Sequence, residues 1–295
     1  VSVVAARATR RPAEVLELPE VEVLRKDLEK EVVGKRVKDV LVETPSIVKP
    51  FHRTRPEFVK SLEGRKIEGV RRRGTAILLD LDEDQTWVVQ ARGTASLHRE
   101  TANEPAGDDT HMIVTFTIGG AIHLSDVDEE PDVSTGVVAT DEVLEAAGIP
   151  ETGFDPLEDN LTWMDFGRML VAAQMPLKLL FMDPTHIQGI GTVYSDEILY
   201  EAGLRYDRQS DSLSTQEVRR LYRSMQEVLA AAMKFRGSSL DDSDADEAVD
   251  DEGEASEHLK VYGREGLPSF RSRRPIERVR VKKGVYAYFD PQSQY

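Results

Sequence analysis

The sequence has no cysteine in 295 residues. That excludes disulfides and any metal site built on thiolates, and it leaves the redox compartment open. There are two Trp and no apolar run near the ~18 residues a membrane span requires, so no spanning helix is expected. No secretory signal is visible. Basic charge is short as well: 38 Lys and Arg stand against 54 Asp and Glu, a net −16, which at first argues against a nucleic-acid binder. What is present is a chain 40% hydrophobic and long enough for two domains with cores of their own. A soluble cytoplasmic protein, nucleoid-associated in a bacterium, is expected, with organellar import as the alternative.

The acid excess is concentrated in one place. Asp241–Glu257 (DDSDADEAVDDEGEASE) carries ten acids and no base, a composition that reads as a disordered loop and as a surface for a protein partner. Residues 259–295 hold nine Lys or Arg against three acids. A second basic knot lies at Arg65, Lys66 and Arg71 to Arg73. Either basic group, taken alone, reads as a solvated face.

Pattern divides the chain further. Residues 1–14 are Arg-rich and read as a disordered extension, a transit peptide, or upstream sequence before a start at Val15. From Leu16, VEVLRKDLEKEVVG predicts a helix with Val21, Leu24, Leu28 and Val32 on one face and Gly34 as its stop. The runs VKDVLVET, KIEGV, TAILLDLD, TWVVQA, MIVTFTI and AIHLSD predict strands of a β-sandwich or meander. After Thr140 the pattern turns helical, through DEVLEAAG, LTWMDFGRMLVAA, PLKLLFMD, TVYSDEILYEAG and STQEVRRLYRSMQEVLAAAMKF. The expected fold is α+β in two domains. A helix and β-sandwich occupy 15–140, a helical domain 141–240, the acidic loop 241–258, and a basic β-hairpin 259–295.

Two local signals carry chemistry. In PTHIQGIGTVYSDEILYEAGL, Gly189 and Gly191 lie directly before a helix, where free N–H groups would face outward and suit a phosphate. A plain tight turn gives the same pattern. In the tail LPSFRSRRPIERVRVKKGVYAYFDPQS, Ser269 and Ser272 are spaced like Asp290 and Ser293, two residues between members of each pair. Cysteine at all four positions would make a zinc ribbon. Three serines and one aspartate do not, so no metal and no other cofactor is expected.

These segments resemble, in order, the formamidopyrimidine-DNA glycosylase / endonuclease VIII family. LELPEVEVLRKDLEKEVVGKRV is similar to the family's opening P-E-L-P-E-V-E, and RKIEGVRRRGTAILLDL to its strand pair around R-R-G-K. Asp183 to Leu204 resembles its helix–two-turn–helix, and LKVYGREGLPSF…YFDPQSQY its C-terminal finger, normally a four-cysteine zinc ribbon. The resemblance implies a monomeric DNA-repair enzyme. Such an enzyme flips a damaged base from double-stranded DNA, displaces it with the amine of an N-terminal proline, and cleaves the strand by β,δ-elimination.

Carried over residue by residue, the resemblance keeps Glu17 and Glu20 as catalytic carboxylates. It puts Leu16 at the nucleophile's position and Thr75 at that of a phosphate-binding lysine. Thr192 replaces an asparagine, the residue filling the flipped base's gap falls near Gly93, and DVDEEPD at 126–132 stands where an arginine and an aromatic wedge belong. The finger's arginine falls near Val285. Arg72, Arg73, Gly189, Gly191, Thr192, Tyr262, Arg264, Arg278, Arg280 and Lys283 remain as candidate DNA contacts. The finger itself is expected to be a zincless hairpin held by packing. Three readings follow: a DNA-binding member, acting on damaged or abasic duplex, with impaired excision; an active glycosylase using another nucleophile or water activated by Glu17; or a scaffold repurposed for a protein partner.

Overall fold

The computed structural model describes residues 16–92, 95–101, 105–126, 131–235 and 258–295. The extension 1–14, Gly93, the acids at 127–130 and the acidic run 241–257 lie outside the described residues.

Helix α1 (Leu18–Val32) starts behind Glu17, with Pro19 in its first turn, where a missing N–H costs nothing. Its predicted stripe Val21, Leu24, Leu28 and Val32 is buried in the core of the β domain. Leu18, one turn earlier, is buried among the residues of the helical domain instead. The helix therefore belongs to both cores, and its first turn sits where they meet.

Eight strands form the sandwich: β1 (Val37–Val42), β2 (Ile67–Arg73), β3 (Ala76–Leu81), β4 (Gln85–Ala91), β5 (Ser96–Glu100), β6 (Thr110–Phe116), β7 (Ala121–Ser125) and β8 (Val133–Ala139). They make two four-stranded antiparallel sheets, ordered β1-β6-β7-β5 and β2-β3-β4-β8. Six of the eight have the alternating or apolar runs that mark strands in sequence. β5 is short and polar, and β8 has its pattern broken by Ser134, Thr135 and Gly136, so neither is legible alone. Helix α2 (Arg55–Leu62) also escapes the pattern because only Phe58 and Leu62 are buried in it; Thr54 caps it by accepting from Glu57 N–H.

Helix α3 (Val143–Ala146) falls in the helical domain by the boundary at 140. In the structure Val143 and Ala147 pack on Ala76, Leu78 and Val88 of the second sheet, so α3 belongs to the sandwich. The helical domain proper holds α4 (Trp163–Ala173), α5 (Leu177–Phe181), α6 (Thr192–Ala202) and α7 (Thr215–Phe235). α4 is capped by Thr162, whose hydroxyl accepts from Asp165 N–H, and α7 by Ser214, paired reciprocally with Glu217. Val218, Leu221, Met225 and Leu229 form the buried stripe of α7.

The C-terminal finger is the antiparallel hairpin β9 (Glu277–Lys282) and β10 (Val285–Phe289). Ala287 and Phe289 are buried, and the Phe289 ring lies 5.0 Å from that of Tyr206. Val261 and Ile276 pack with Tyr200 of α6. None of the described helices is long and apolar enough to cross a membrane.

Candidate nucleic-acid interface

The turn between α5 and α6 is an anion site, as its glycines suggest, but the anion is the protein's own. Glu17 Oε2 accepts from the backbone N–H of Gly191 at 2.7 Å and of Tyr194 at 3.1 Å, and Oε1 accepts from Val193 N–H at 2.8 Å. Leu18 N–H donates to Gly189 O at 2.8 Å. A Cβ on Gly191 would lie 2.6 Å from Glu17 Oε1, and one on Gly189, where φ is +80°, 2.8 Å from Leu18 Cδ1. The two glycines let the start of α1 press against the start of α6. The outward N–H cradle expected at Gly189 and Gly191 is thus corrected. A helix N-terminus carries roughly half a positive charge, and here an internal carboxylate meets it.

Glu20 completes the join. It accepts from Glu17 N–H at 2.9 Å and from the Tyr194 hydroxyl. Both glutamates are buried. Burial pushes the Glu17 carboxyl up to about 7, against the three N–H bonds that pull it down. Leu16 is half-buried and packs on the sandwich core.

The basic run of β2 is also turned inward. The Arg72 side chain is 0% exposed. It donates to Glu22 at 2.8 Å, to both oxygens of Asp155 and to Gly74 O, while Gly74 N–H donates to Asp155 at 2.9 Å. A guanidinium so enclosed cannot reach a phosphate, so Arg72 is a strut between α1, β2 and the segment leading to the helical domain. Arg73 binds both oxygens of Asp159 at 3.0 Å and Gly153 O at 2.8 Å. Arg71 is paired with Asp80 at 2.9 Å. Each arginine is answered by at least one acid; Asp80 is on the neighbouring strand, whereas Asp155 and Asp159 lie too far along the chain to be matched by pattern. Thr75, half-buried, brings no charge to a cavity of about 110 Å³ that it lines with Gln90, Arg92 and Gln188.

The remaining candidates gather at the finger. The Tyr262 phenol lies beside the Thr192 side chain, and its ring meets Tyr288 edge-on at 5.0 Å. Arg264 does not point away from the protein; its guanidinium stacks 4.3 Å over Phe270. Arg278 sits 3.9 Å over the Tyr286 ring and 3.7 Å from Glu265. Arg280 and Lys283 are exposed and make no ion pair among the described residues. The finger is docked by a buried pair that sequence reading missed. Lys178 Nζ is 2.7 Å from Asp196 Oδ1 and donates to Thr192 O, while Asp196 Oδ2 accepts from Tyr288 N–H at 3.0 Å. Burial raises the Asp196 carboxyl to about 6.

At the four ribbon positions the side chains bind one another. Asp290 is fully buried. Its Oδ2 accepts from Ser269 Oγ at 2.5 Å and Ser293 Oγ at 2.7 Å, and its Oδ1 from Ser272 Oγ and Gln292 N–H, both at 2.9 Å. Zinc needs lone pairs from deprotonated ligands, whereas each hydroxyl here donates its proton to the carboxylate. The residues do not fit the metal. They form a hydrogen-bonded knot in its place, so the expectation of a hairpin held by packing alone is corrected. The signal was present in the sequence: three hydroxyls and a single acid at the four positions is a balanced donor–acceptor set.

Comparison with known proteins agrees with this layout. The model of the formamidopyrimidine-DNA glycosylase N-terminal domain matches residues 15–129, and that of the formamidopyrimidine-DNA glycosylase H2TH domain matches residues 152–244. The formamidopyrimidine-DNA glycosylase of Heliobacterium modesticaldum is 34% identical over 284 residues, spanning 94% of this chain and 99% of the relative. That of Carboxydothermus hydrogenoformans is 33% identical over 279 residues, with the same spans. Among solved structures, a complex of the Lactococcus lactis Fpg with DNA containing an abasic site superposes with a TM-score of 0.81 at 25% identity, over 95% of this chain and 99% of that one. A complex of the same protein with DNA containing N7-benzyl-Fapy-dG gives 0.81 at 26% identity, over 94% and 99%.

Proposed function

The chain belongs to the formamidopyrimidine-DNA glycosylase family, and we propose that it is a member that binds damaged or abasic duplex DNA with impaired base-excision and strand-cleaving chemistry. The family relation and the DNA complexes of its structural neighbours support the binding half. Exposed Arg273, Arg274, Arg280, Lys282 and Lys283 supply the charge on the finger.

The catalytic half rests on one observation, the commitment of Glu17. Base displacement by an amine requires a free lone pair to attack C1′ and a nearby group to move protons. The nitrogen of Leu16 in this sequence is a peptide amide, whose lone pair is delocalised. The carboxylate beside it is buried, with both oxygens held by the α6 N-terminus. Lys178 is no substitute, since its ammonium is enclosed against Asp196 and Thr192. One feature favours the alternative of water activated by Glu17: a carboxyl raised to about 7 has the pKa a general base at neutral pH calls for.

Duplexes with and without an abasic site, titrated across a salt series in the presence and absence of borohydride, test both halves. Binding should weaken linearly in log salt, by about 0.9 per phosphate contact, with no covalent adduct and no nicking. An adduct trapped by borohydride would show that an amine is at work and overturn the proposal. Cleavage without an adduct, abolished by Glu17→Gln, would establish the water reading instead.

A further inference from the structure

The finger's outer face alternates cations with rings. Across the hairpin Arg280 pairs with Tyr286 and Arg278 with Tyr288. Successive strand residues point to opposite sides, so these four share one face, while Ala287 and Phe289 are buried on the other. Arg278 lies 3.9 Å from the centroid of Tyr286 and 5.6 Å from that of Tyr288. Behind them Tyr262 supports Tyr288 edge-on. Tyr286 is 37% exposed, so part of its ring is open to solvent.

Two roles could account for an exposed ring beside an arginine. As a brace for the hairpin, the ring carries Arg278 on its face, an attraction any aromatic side chain would supply. As a ligand site, the combination matches an unstacked nucleotide, which presents a π-face and a phosphate together. Intact duplex hides its base faces within the stack, so arginines alone would suffice for it. Arg280, Lys282 and Lys283 provide charge complementary to a phosphodiester strand along the same hairpin.

We infer that the Tyr286–Arg278 face of the finger is a stacking site for an unpaired nucleobase, so that the protein prefers DNA with an unstacked nucleotide to intact duplex. The inference deepens the proposed function, since it rests on the protein binding DNA at all. Stacking of a base on an aromatic side chain contributes about 1–3 kcal/mol, which corresponds to a preference of roughly 5- to 150-fold.

Fluorescence anisotropy of the whole chain with three probes of equal length tests it: an intact duplex, the same duplex with a one-nucleotide bulge, and a single strand. The bulged and single-stranded probes should bind tighter by that factor. Tyr286→Ala and Tyr286→Leu should both bring the bulged probe down towards the intact duplex, and Tyr286→Phe should retain the preference. The leucine variant keeps apolar cover on the hairpin but loses the ring under Arg278, so a loss on the bulged probe with unchanged affinity for the intact duplex marks base stacking and not a folding defect. Equal affinities for the three probes, or a preference that survives Tyr286→Leu, would overturn the inference while leaving duplex binding intact. Failure to bind any probe at low salt would remove the DNA reading itself, and the inference with it.

Discussion

Replacing Asp290 tests whether a hydrogen-bonded knot does what a metal would do. Asp290→Ala removes the acceptor for three hydroxyls and one backbone N–H. Ser272 and Ser293 are half-buried and can turn to water. Ser269 is fully buried; its Oγ still accepts from Arg271 N–H at 3.1 Å, and the Tyr200 hydroxyl at 3.2 Å is left to take its proton. A buried donor left unpaired costs about 1–3 kcal/mol, and bonds to a charged group contribute about 1.5–3 each. The variant should therefore lose roughly 2–4 kcal/mol of finger stability. Asp290→Asn keeps one carbonyl acceptor but gives up the charge, and should lose about half as much.

The finger's apolar contacts are few, so this loss should appear as local opening, not global unfolding. Native-state amide exchange at pH 7 reads it directly. Amides of β9 and β10 should exchange about 30- to 1000-fold faster in Asp290→Ala, while those of α4 stay as they are. The hydrogen bonds hold the Asp290 carboxyl down at about 2, from a usual 3.8, with burial opposing. A depressed folded pKa means stability that is fully present above 3.8 and lost as pH falls through about 2. The shift is worth about 2 kcal/mol. Unchanged exchange in Asp290→Ala, or a finger that opens in wild type between pH 6 and 5, would refute the knot's role. So would stoichiometric zinc by elemental analysis.

Three further outcomes follow from the joins between domains. Gly191→Ala places a methyl against Glu17 at a distance no carbon tolerates, and should destabilise the fold by about 1–3 kcal/mol in urea unfolding; a neutral result would mean Glu17 does not sit against the turn. Arg72→Met leaves Asp155 buried without its cation and should cost about 3–5 kcal/mol, whereas Arg72→Met combined with Asp155→Asn should recover part of it. Glu17, raised from 4.5 to about 7, contributes stability that is fully present below pH 4.5 and lost as pH rises through 7. About 3 kcal/mol should disappear over that window, and the slope should vanish in Glu17→Gln.

The parts of this protein legible in its sequence are those fixed by short-range pattern. The α1 stripe, six strands, the helical run of α7 and the two strands of the terminal hairpin all follow from residue pattern along one element. β5, β8 and α2 were not legible because their burial is set by neighbours distant in the chain. The same distinction governs the site. RRR at 71–73 reads as a surface cation cluster because the partners of Arg72 and Arg73 are not nearby in sequence. Asp155 and Asp159 lie more than eighty residues on, and only the fold brings them to Arg72 and Arg73. Gly189 and Gly191 announce a close approach correctly, but they cannot say whether the approaching anion is a ligand or Glu17.

That ambiguity decides where DNA can be held. A helix N-terminus offers about half a unit of positive charge, and at α6 its N–H groups are already taken by Glu17, whose carboxyl is raised to about 7. A phosphate brought to the same turn would find the N–H groups of Gly191, Val193 and Tyr194 occupied and, once Glu17 is ionised, a like charge within a few ångströms. Arg71, Arg72 and Arg73 are likewise answered by acids, and Thr75 supplies no cation. Among the candidate DNA contacts, the cations left without an acid partner are then on the finger, Arg280 and Lys283 among them, with Arg273, Arg274 and Lys282 exposed beside them. The finger must consequently keep its shape for binding to survive, although the ligands that would fix it through a metal are gone. The knot at Asp290 and the Lys178–Asp196 pair that holds Tyr288 meet that requirement together at the C-terminal end of β10. On this reasoning the residues that hold the finger's shape matter to DNA affinity more than the glutamates at the start of α1.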